Sequence, residues 1–345
     1  MKNVSTFLLG LLLLALTMSA AQAQNILRCN NVGVTGTGIF TTLQAAHNAA
    51  AAGDIIYLEP SGTSYGDLTC TKPLTIIGNG YLHGEQPTPL TVDPRASIVS
   101  MVQLRAGSEG SRVTGLVVTN FLLINANNCT VERNYMQSNG MNIGRDDFIT
   151  GAEATISSGV IRQNYIEASL TFRMGGTTTI AGVLISNNFI LNDVSGGNSP
   201  RLNSVLFSNN VIGNRAGSNG GNIDMDNCLL KNNIITRSTA TFAPRSNAVS
   251  NNVGTGTQFG TANGNQANVA LASIFSGPTT SEGQFQIATN GPADNTGESG
   301  ADCGAFGGPA PYVLAGVPNV PTIFQYAQSV SGTTLNATIS TQSNR

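Results

Sequence analysis

The chain has 345 residues, of which only 10% are charged, and its formal net charge is −2. It lacks the surplus of Lys and Arg that nucleic-acid-binding proteins concentrate on one face, so we exclude nucleic acid as a partner. Its 40 glycines suit a protein rich in turns, and the absence of Trp leaves Tyr and Phe as the side chains able to stack on sugars.

The first 23 residues have the features of a secretory signal peptide. Lys2 precedes an apolar run from Phe7 to Leu16, and Ala21 and Ala23 supply the small residues of a cleavage site. No later stretch reaches the roughly 18 apolar residues that a transmembrane helix needs. We therefore expect a mature chain from about residue 24, secreted or held at the cell surface, without a transmembrane segment.

An N-terminal cap is predicted over residues 24–60. A helix is expected from Thr41 to Ala52, because Thr suits the N-cap, alanines fill the interior and Gly53 follows. Strands are expected at residues 55–59 and 74–77. Such a helix would cover the open edge of the first coil, which would otherwise invite pairing with another strand.

A short phrase then recurs along the middle of the chain, with apolar positions on either side of an Asn turn. Its second Asn advances by 30, 24, 22, 23 and 19 residues, a mean of about 24. These asparagines are Asn134, Asn164, Asn188, Asn210, Asn233 and Asn252. A period of this length predicts a solenoid of stacked coils, whereas an antiparallel sandwich would show turns every 8 to 12 residues.

Stacking of the coils places equivalent residues above one another in parallel sheets, in which neighbouring strands are about 4.8 Å apart. We expect the Asn side chains to form a ladder, since Asn suits the left-handed backbone of tight turns and its amide can bond to the next Asn. Three columns, at five and three residues before the ladder Asn and two after it, are predicted to face the core.

The repeat fades in the C-terminal part of the chain. Residues 262–300 are predicted to form irregular last coils, so the β-helix is assigned to residues 24–310. The Gly- and Pro-rich segment 304–321 is expected to lie across the final coil. Residues 323–339 are expected to supply one or two edge strands within a C-terminal cap, residues 311–345.

Several segments resemble the pectin-lyase-like superfamily of right-handed parallel β-helices. Residues 42–46, 53–57, 62–65 and 74–78 are similar to its N-terminal cap and first coil, and the Asn rungs resemble its turn ladder. Residues 302–308, 311–314 and 318–321 resemble the ending of secreted β-helix proteins of Bacteroidetes-type bacteria. The resemblance implies an all-β, right-handed, single-stranded parallel β-helix, but not one activity, because the superfamily includes enzymes, adhesins and inert coats.

Hydrolases of this superfamily use an Asp cluster with Gly-His-Gly and Arg-Ile-Lys motifs. The chain has only two histidines, His47 and His83, and neither motif. Asp146 and Asp147 are interpreted as part of a solvated loop, because an acid–base pair would need a partner at a suitable separation. The sequence therefore offers no hydrolase site.

Lyases of this superfamily pair acidic Ca²⁺ ligands with an Arg or Lys base on an exposed sheet face. Asp224 and Asp226 are predicted to project on one face beside Arg201 of the neighbouring rung, and Asn222 could complete a Ca²⁺ site. Arg201 could then hold a uronate carboxylate or take a proton. The competing interpretation is a surface ion pair between Arg201 and these carboxylates.

Two tyrosines are candidate sugar-binding residues. Tyr135 and Tyr165 occupy neighbouring rungs just after the ladder Asn and could form a strip on which sugars stack. Packing beneath a loop is the alternative. The five cysteines suggest at most one disulfide, Cys29 with Cys70, because Cys129 and Cys228 are four rungs apart, a distance of roughly 19 Å on the strand spacing.

These observations favour a secreted or cell-surface β-helix that is not an enzyme and that binds polysaccharide or contributes to adhesion. The alternative is a Ca²⁺-dependent lyase that cleaves a uronate polymer by β-elimination.

Overall fold

A computed structural model of the chain describes residues 24–144, 155–173, 178–196 and 202–343. The predicted signal peptide, Arg201 and the Asp146–Asp147 pair lie outside the described residues. Over the described ranges, no helix is both long enough and apolar enough to cross a membrane.

Within the described residues, 28 short strands stack into four sheets, and every strand pair in them is parallel. The 11 strands of sheet 1 are, in spatial order, Ile39–Phe40, Ile26–Cys29, Ile55–Leu58, Thr75–Ile77, Arg112–Thr114, Thr130–Glu132, Val160–Arg162, Leu184–Ser186, Val205–Ser208, Cys228–Lys231 and Ala248–Ser250. The 6 strands of sheet 2 are Leu68–Cys70, Val102–Leu104, Leu122–Ile124, Met141–Gly144, Leu170–Arg173 and Val194–Ser195.

Two further sheets complete the coils. The 8 strands of sheet 3 are Ser97–Val99, Leu116–Val118, Tyr135–Met136, Tyr165–Ile166, Phe189–Ile190, Val211–Ile212, Ile234–Ile235 and Val253–Gly254. The 3 strands of sheet 4 are Thr155–Ser157, Thr179–Ala181 and Leu202–Asn203. The helices among the described residues are the α-helices Leu43–Ala49 and Leu271–Ile274 and the 3-10 helices His83–Glu85, Gly283–Phe285, Glu298–Gly300 and Leu314–Gly316.

Successive copies of the repeated phrase lie directly above one another. In sheet 1, Val131 pairs with Ile161 and Ile161 with Ile185, and sheet 3 has the matching pair Met136 and Ile166. All three columns that the sequence predicted to face inward are buried. The arrangement is consistent with the predicted all-β solenoid.

Seven asparagines form a continuous ladder inside the corner between sheets 1 and 3. They are Asn134, Asn164, Asn188, Asn210, Asn233, Asn252 and Asn265. The Oδ1 atom of each later Asn accepts hydrogen bonds from the backbone N–H and the Nδ2 of the Asn before it, over 2.9–3.2 Å. The first six are fully buried, so the ladder satisfies polar backbone at a dry corner.

In the first six rungs of the ladder, the left-handed backbone of this corner is carried by the residue before the ladder Asn, and not by the ladder Asn as the sequence suggested. These residues have φ values of 54–58° and are Arg133, Gln163, Asn187, Asn209, Asn232 and Asn251. Their side chains point away from the core, so one corner position per rung remains free to bind another segment.

That segment is residues 295–318, here named the strap, which runs back along the corner from the last rung towards the first. Each of the six corner side chains bonds to strap backbone. From last rung to first, the pairs are Asn251 with Thr296, Asn232 with Glu298, Asn209 with Asp302, Asn187 with Gly307, Gln163 with Pro311 and Arg133 with Val317. The prediction that residues 304–321 cross the final coil is therefore wrong.

Close packing ends the strap. Gly316 has a φ of +51°, and a Cβ atom there would overlap the ring of Tyr81. Beyond it, Thr322–Ser331 and Thr334–Gln342 pair with each other as an antiparallel hairpin. They were predicted as edge strands of the solenoid, but within the described residues they form a separate two-stranded sheet.

The N-terminal helix Leu43–Ala49 lies within the predicted span. The Thr42 hydroxyl caps it by accepting a hydrogen bond from the N–H of Ala45 at 3.2 Å. Its buried side chains include Leu43 and Ala46, and it packs against strands of sheets 1 and 2.

All five cysteines are buried and unpaired, so the suggested Cys29–Cys70 disulfide is absent. The Cys70 thiol lies 3.2 Å from the carbonyl oxygen of Lys72, and the Cys29 thiol 3.8 Å from that of Thr42. Burial raises the pKa of Cys29 to about 12, so this thiol stays protonated.

A fully buried carboxylate, Glu282, lies beneath the strap. It accepts hydrogen bonds from the Tyr312 hydroxyl at 2.5 Å and from the N–H of Ala315 at 2.9 Å. Burial raises the pKa of Glu282 to about 7, because it outweighs these two hydrogen bonds, which lower the pKa. The negative charge of the nearby Glu85 adds to the increase. The folded protein therefore binds a proton here more tightly than the unfolded chain does.

The free energy of unfolding should accordingly fall as pH rises. Glu282 contributes most below pH 4.5, its ordinary pKa, and this contribution is lost as pH rises to about 7. A shift of this size corresponds to about 3 kcal/mol. Denaturation at pH 5 and pH 8 measures the difference, and Glu282→Gln should reduce it; an unchanged difference in the variant would assign the pH dependence to other groups.

Candidate functional site

The residues predicted for a lyase are only partly brought together. Arg201 lies outside the described residues. Asp224 Oδ1 lies 2.8 Å from Nη2 of Arg245, a distance that suits an ion pair although no aligned hydrogen bond joins them. Asp226 Oδ1 accepts a hydrogen bond from the N–H of Ser246 at 3.1 Å. Both carboxylates thus face groups of the following rung.

The third suggested Ca²⁺ ligand is also engaged, because Asn222 Oδ1 accepts hydrogen bonds from the backbone and hydroxyl of Thr241. Across residues 24–144, 155–173, 178–196 and 202–343, no group of three His, Cys, Asp or Glu is arranged to hold a metal ion. The roles of Arg201, Asp224 and Asp226 remain predictions.

Tyr135 and Tyr165 do lie on neighbouring rungs, as predicted, with ring centroids 5.3 Å apart. They belong to an aromatic row on the outer face of sheet 3 that continues to Tyr81 and Phe189. Tyr165 is 3% exposed and Tyr135 is half-buried. A sugar could stack on Tyr165 only if the segment that covers it moved, and their role in sugar binding stays a prediction.

The outer face of sheet 1 carries two parallel columns with different chemistry. The apolar column is Val160, Leu184, Leu206, Leu229 and Ala248. The polar column, two residues before each ladder Asn, is Glu132, Arg162, Ser186, Ser208, Lys231 and Ser250. The columns arise because every second residue of a strand points outward and equivalent residues stack rung on rung.

The strap turns this face into a groove. Its residues 298–302 and 306–310 stand along one side, and the groove between them and sheet 1 has a volume of about 700 Å³. The floor and wall residues from sheet 1 are Arg162, Leu184, Ser186, Leu206, Ser208 and Lys231. The groove therefore combines an apolar strip with hydroxyl and charged groups.

Two serine hydroxyls lie on the groove floor without a partner. Ser186 and Ser208 are 5% and 7% exposed and occupy adjacent rungs. Neither hydroxyl makes a hydrogen bond within the part of the chain that the structure describes, although the backbone carbonyls of both residues do. Their hydrogen-bonding capacity is thus directed towards the groove.

The charged groups of the groove have partners in the protein. Arg162 Nε donates to Glu132 at 2.7 Å, and Glu132 also binds Arg112. Burial alone would raise the pKa of Glu132, but the hydrogen bonds and charges of the two arginines outweigh it and lower the pKa. Lys231 pairs with Glu298 of the strap.

This groove could not be predicted from the sequence, because its two walls are about 100 residues apart along the chain. The repeated Ser in the phrases at Ser186 and Ser208 was the available signal on the sheet side. The strap side has no periodic pattern, so its position follows only from the corner hydrogen bonds.

Models of known protein families, curated proteins and solved structures were compared with the chain, and none matched.

Proposed function

We propose that the chain is a secreted or cell-surface protein that is not an enzyme. It binds polysaccharide in the groove between the strap and sheet 1, or contributes to adhesion through this binding. The groove is the observation that carries the proposal. Its volume of about 700 Å³ lies within the range of ligand pockets, and its length follows the axis of the solenoid. An elongated polymer suits such an open channel.

The chemistry of the groove supports a sugar ligand. Leu184 and Leu206 offer an apolar surface for the C–H face of a sugar ring, and Ser186 and Ser208 offer hydroxyls that both donate and accept. Sugars present the same two kinds of surface. The site could therefore bind a sugar although the sequence contains no Trp.

We further propose a right-handed winding of the pectin-lyase-like kind, capped by the helix Leu43–Ala49. Crossover connections between parallel strands are right-handed in nearly all known sheets. The resemblance of the N-terminal segments and the long parallel sheets support this assignment.

The second candidate is the Ca²⁺-dependent uronate lyase built on Arg201, Asp224 and Asp226. The proximity of Asp224 to the basic residue Arg245 on an outer face favours it. We place it second because both carboxylates already bind protein groups.

Affinity electrophoresis of the mature chain through gels that contain a panel of polysaccharides tests the first candidate. Leu206→Glu should weaken binding at least about 10-fold, because it places a charge in the apolar strip that the ligand would have to desolvate. Leu229→Glu is the matched control, since Leu229 belongs to the same column but does not line the groove.

Equal effects of the two substitutions, or no retardation by any polysaccharide, would contradict the proposal. The same panel, followed by ultraviolet absorbance with and without Ca²⁺, tests the lyase. Unsaturated products that Asp224→Ala abolishes would establish the second candidate instead.

A further inference from the structure

The charges around the groove sum to zero. Its lining includes two basic groups, Arg162 and Lys231, and two acidic groups, Glu298 and Asp302. The adjoining Arg112 and Glu132 add one charge of each sign. An acidic ligand would therefore find no surplus of positive charge, and would have to displace Glu132 or Glu298 from its partner.

The carboxylate at the Arg162 end of the groove, Glu132, is far more buried than Glu298 at the Lys231 end. Glu132 is 2% exposed and is held from both sides, by Arg112 and Arg162 at 2.7 Å each. A carboxylate shared in this way keeps both arginines oriented along the sheet. Release of Arg162 towards a ligand would leave the buried Glu132 with half of its charge partners.

The groups on the groove floor that are available to hydrogen-bond a ligand are uncharged. Ser186 and Ser208 lie one rung apart, a spacing of about 4.8 Å, beside Leu184 and Leu206, and neither hydroxyl has a partner among the described residues. Hydroxyls that both donate and accept match the hydroxyls of a neutral sugar, whereas a carboxylate can only accept.

On these grounds, and on the basis of the function proposed above, we propose that the groove selects an uncharged glycan. The Ser186 and Ser208 hydroxyls would form hydrogen bonds with the glycan, and Leu184 and Leu206 would pack against its sugar rings. The strap wall contributes the acidic groups Glu298 and Asp302, which balance the basic groups Arg162 and Lys231 of sheet 1. Acidic polymers such as uronates are excluded by the balanced charges.

The experiment compares the mature chain on two neutral polymers, a β-glucan and a mannan, and on two acidic polymers, polygalacturonate and alginate. We expect at least one neutral polymer to bind and neither acidic polymer to bind. Affinity for the neutral polymer should change less than about 2-fold between 0.02 and 0.5 M salt, because no ion pair forms with the ligand.

The double variant S186A/S208A should lose at least about 10-fold in affinity for the neutral polymer, since two hydrogen bonds are removed. Ser250→Ala is the control, because Ser250 lies in the same outward column beyond the groove and should bind as the unaltered chain does. Thermal melting curves identify any variant that is misfolded, and S186V and S208V singly then replace the double variant.

Three results would overturn the inference. Salt-sensitive binding of the acidic polymers alone would refute the neutral class while leaving polysaccharide binding intact. Binding of a neutral polymer that S186A/S208A leaves unchanged would place the site elsewhere. Failure of all four polymers to bind would remove the proposed function as well.

Discussion

Replacement of Asn188 by alanine is expected to lower the free energy of unfolding by about 4 kcal/mol. The Asn188 side chain has hydrogen-bond partners at both of its polar atoms in a fully buried corner. Its Oδ1 accepts from the N–H and Nδ2 of Asn164, and the two hydrogens of its Nδ2 are shared among the carbonyls of Ile161 and Ser186 and Oδ1 of Asn210. Alanine would leave the N–H of Asn164 buried without a partner.

Chemical denaturation of the mature chain measures this loss. Asn203→Ala is the matched control, because Asn203 lies on the exposed face of sheet 4 and should change stability by no more than about 0.5 kcal/mol. If Asn188→Ala and Asn203→Ala were equally stable, the ladder would not be the element that holds the corner.

The ladder also explains why the coiled architecture could be predicted from the sequence. A buried Asn is tolerated only where each of its polar atoms finds a partner, and a stack of identical Asn supplies those partners on every rung. The interval between copies therefore reports the length of one coil. Asn265 extends the ladder one rung beyond the predicted copies, where the flanking apolar residues of the phrase are lost.

The strap could not be predicted in the same way. Its binding partners are the residues before the ladder Asn, which include Arg133, Gln163 and Asn187 and share only the ability to donate a hydrogen bond. The strap itself contributes backbone groups, namely five carbonyls and the N–H of Glu298, and these carry no sequence signature. A column of donor side chains on left-handed residues was the one signal, and it does not say which segment it binds.

In the candidate sites too, the repeat predicts some features and not others. The outward positions of Glu132 and Arg162 on adjacent rungs follow from the repeat, and the two side chains form an ion pair. The environment of Tyr165 did not follow, since it depends on residues 281–312 that have no repeat. Alternation within a rung predicts which face a residue occupies, but not what covers that face.

Replacement of Phe189 by alanine is expected to destabilise the protein by about 3–5 kcal/mol and to release the strap. Phe189 is fully buried on the outer face of sheet 3. Its ring centroid lies 4.5 Å from that of Tyr312 and 5.7 Å from that of Phe306, both in the strap, and 4.7 Å from that of Phe285. Alanine would leave a cavity beneath all three rings.

Chemical denaturation and limited digestion with chymotrypsin measure the two effects separately. Loss of the aromatic contact should expose the strap to cleavage after Phe306 or Tyr312 while the stacked sheets remain folded, because the Asn ladder does not involve Phe189. Tyr326→Ala is the control, since Tyr326 lies half-exposed on the hairpin and should alter neither stability nor cleavage. A strap that stays protected in Phe189→Ala would mean that the corner hydrogen bonds alone hold it, and the groove would then survive loss of the aromatic layer.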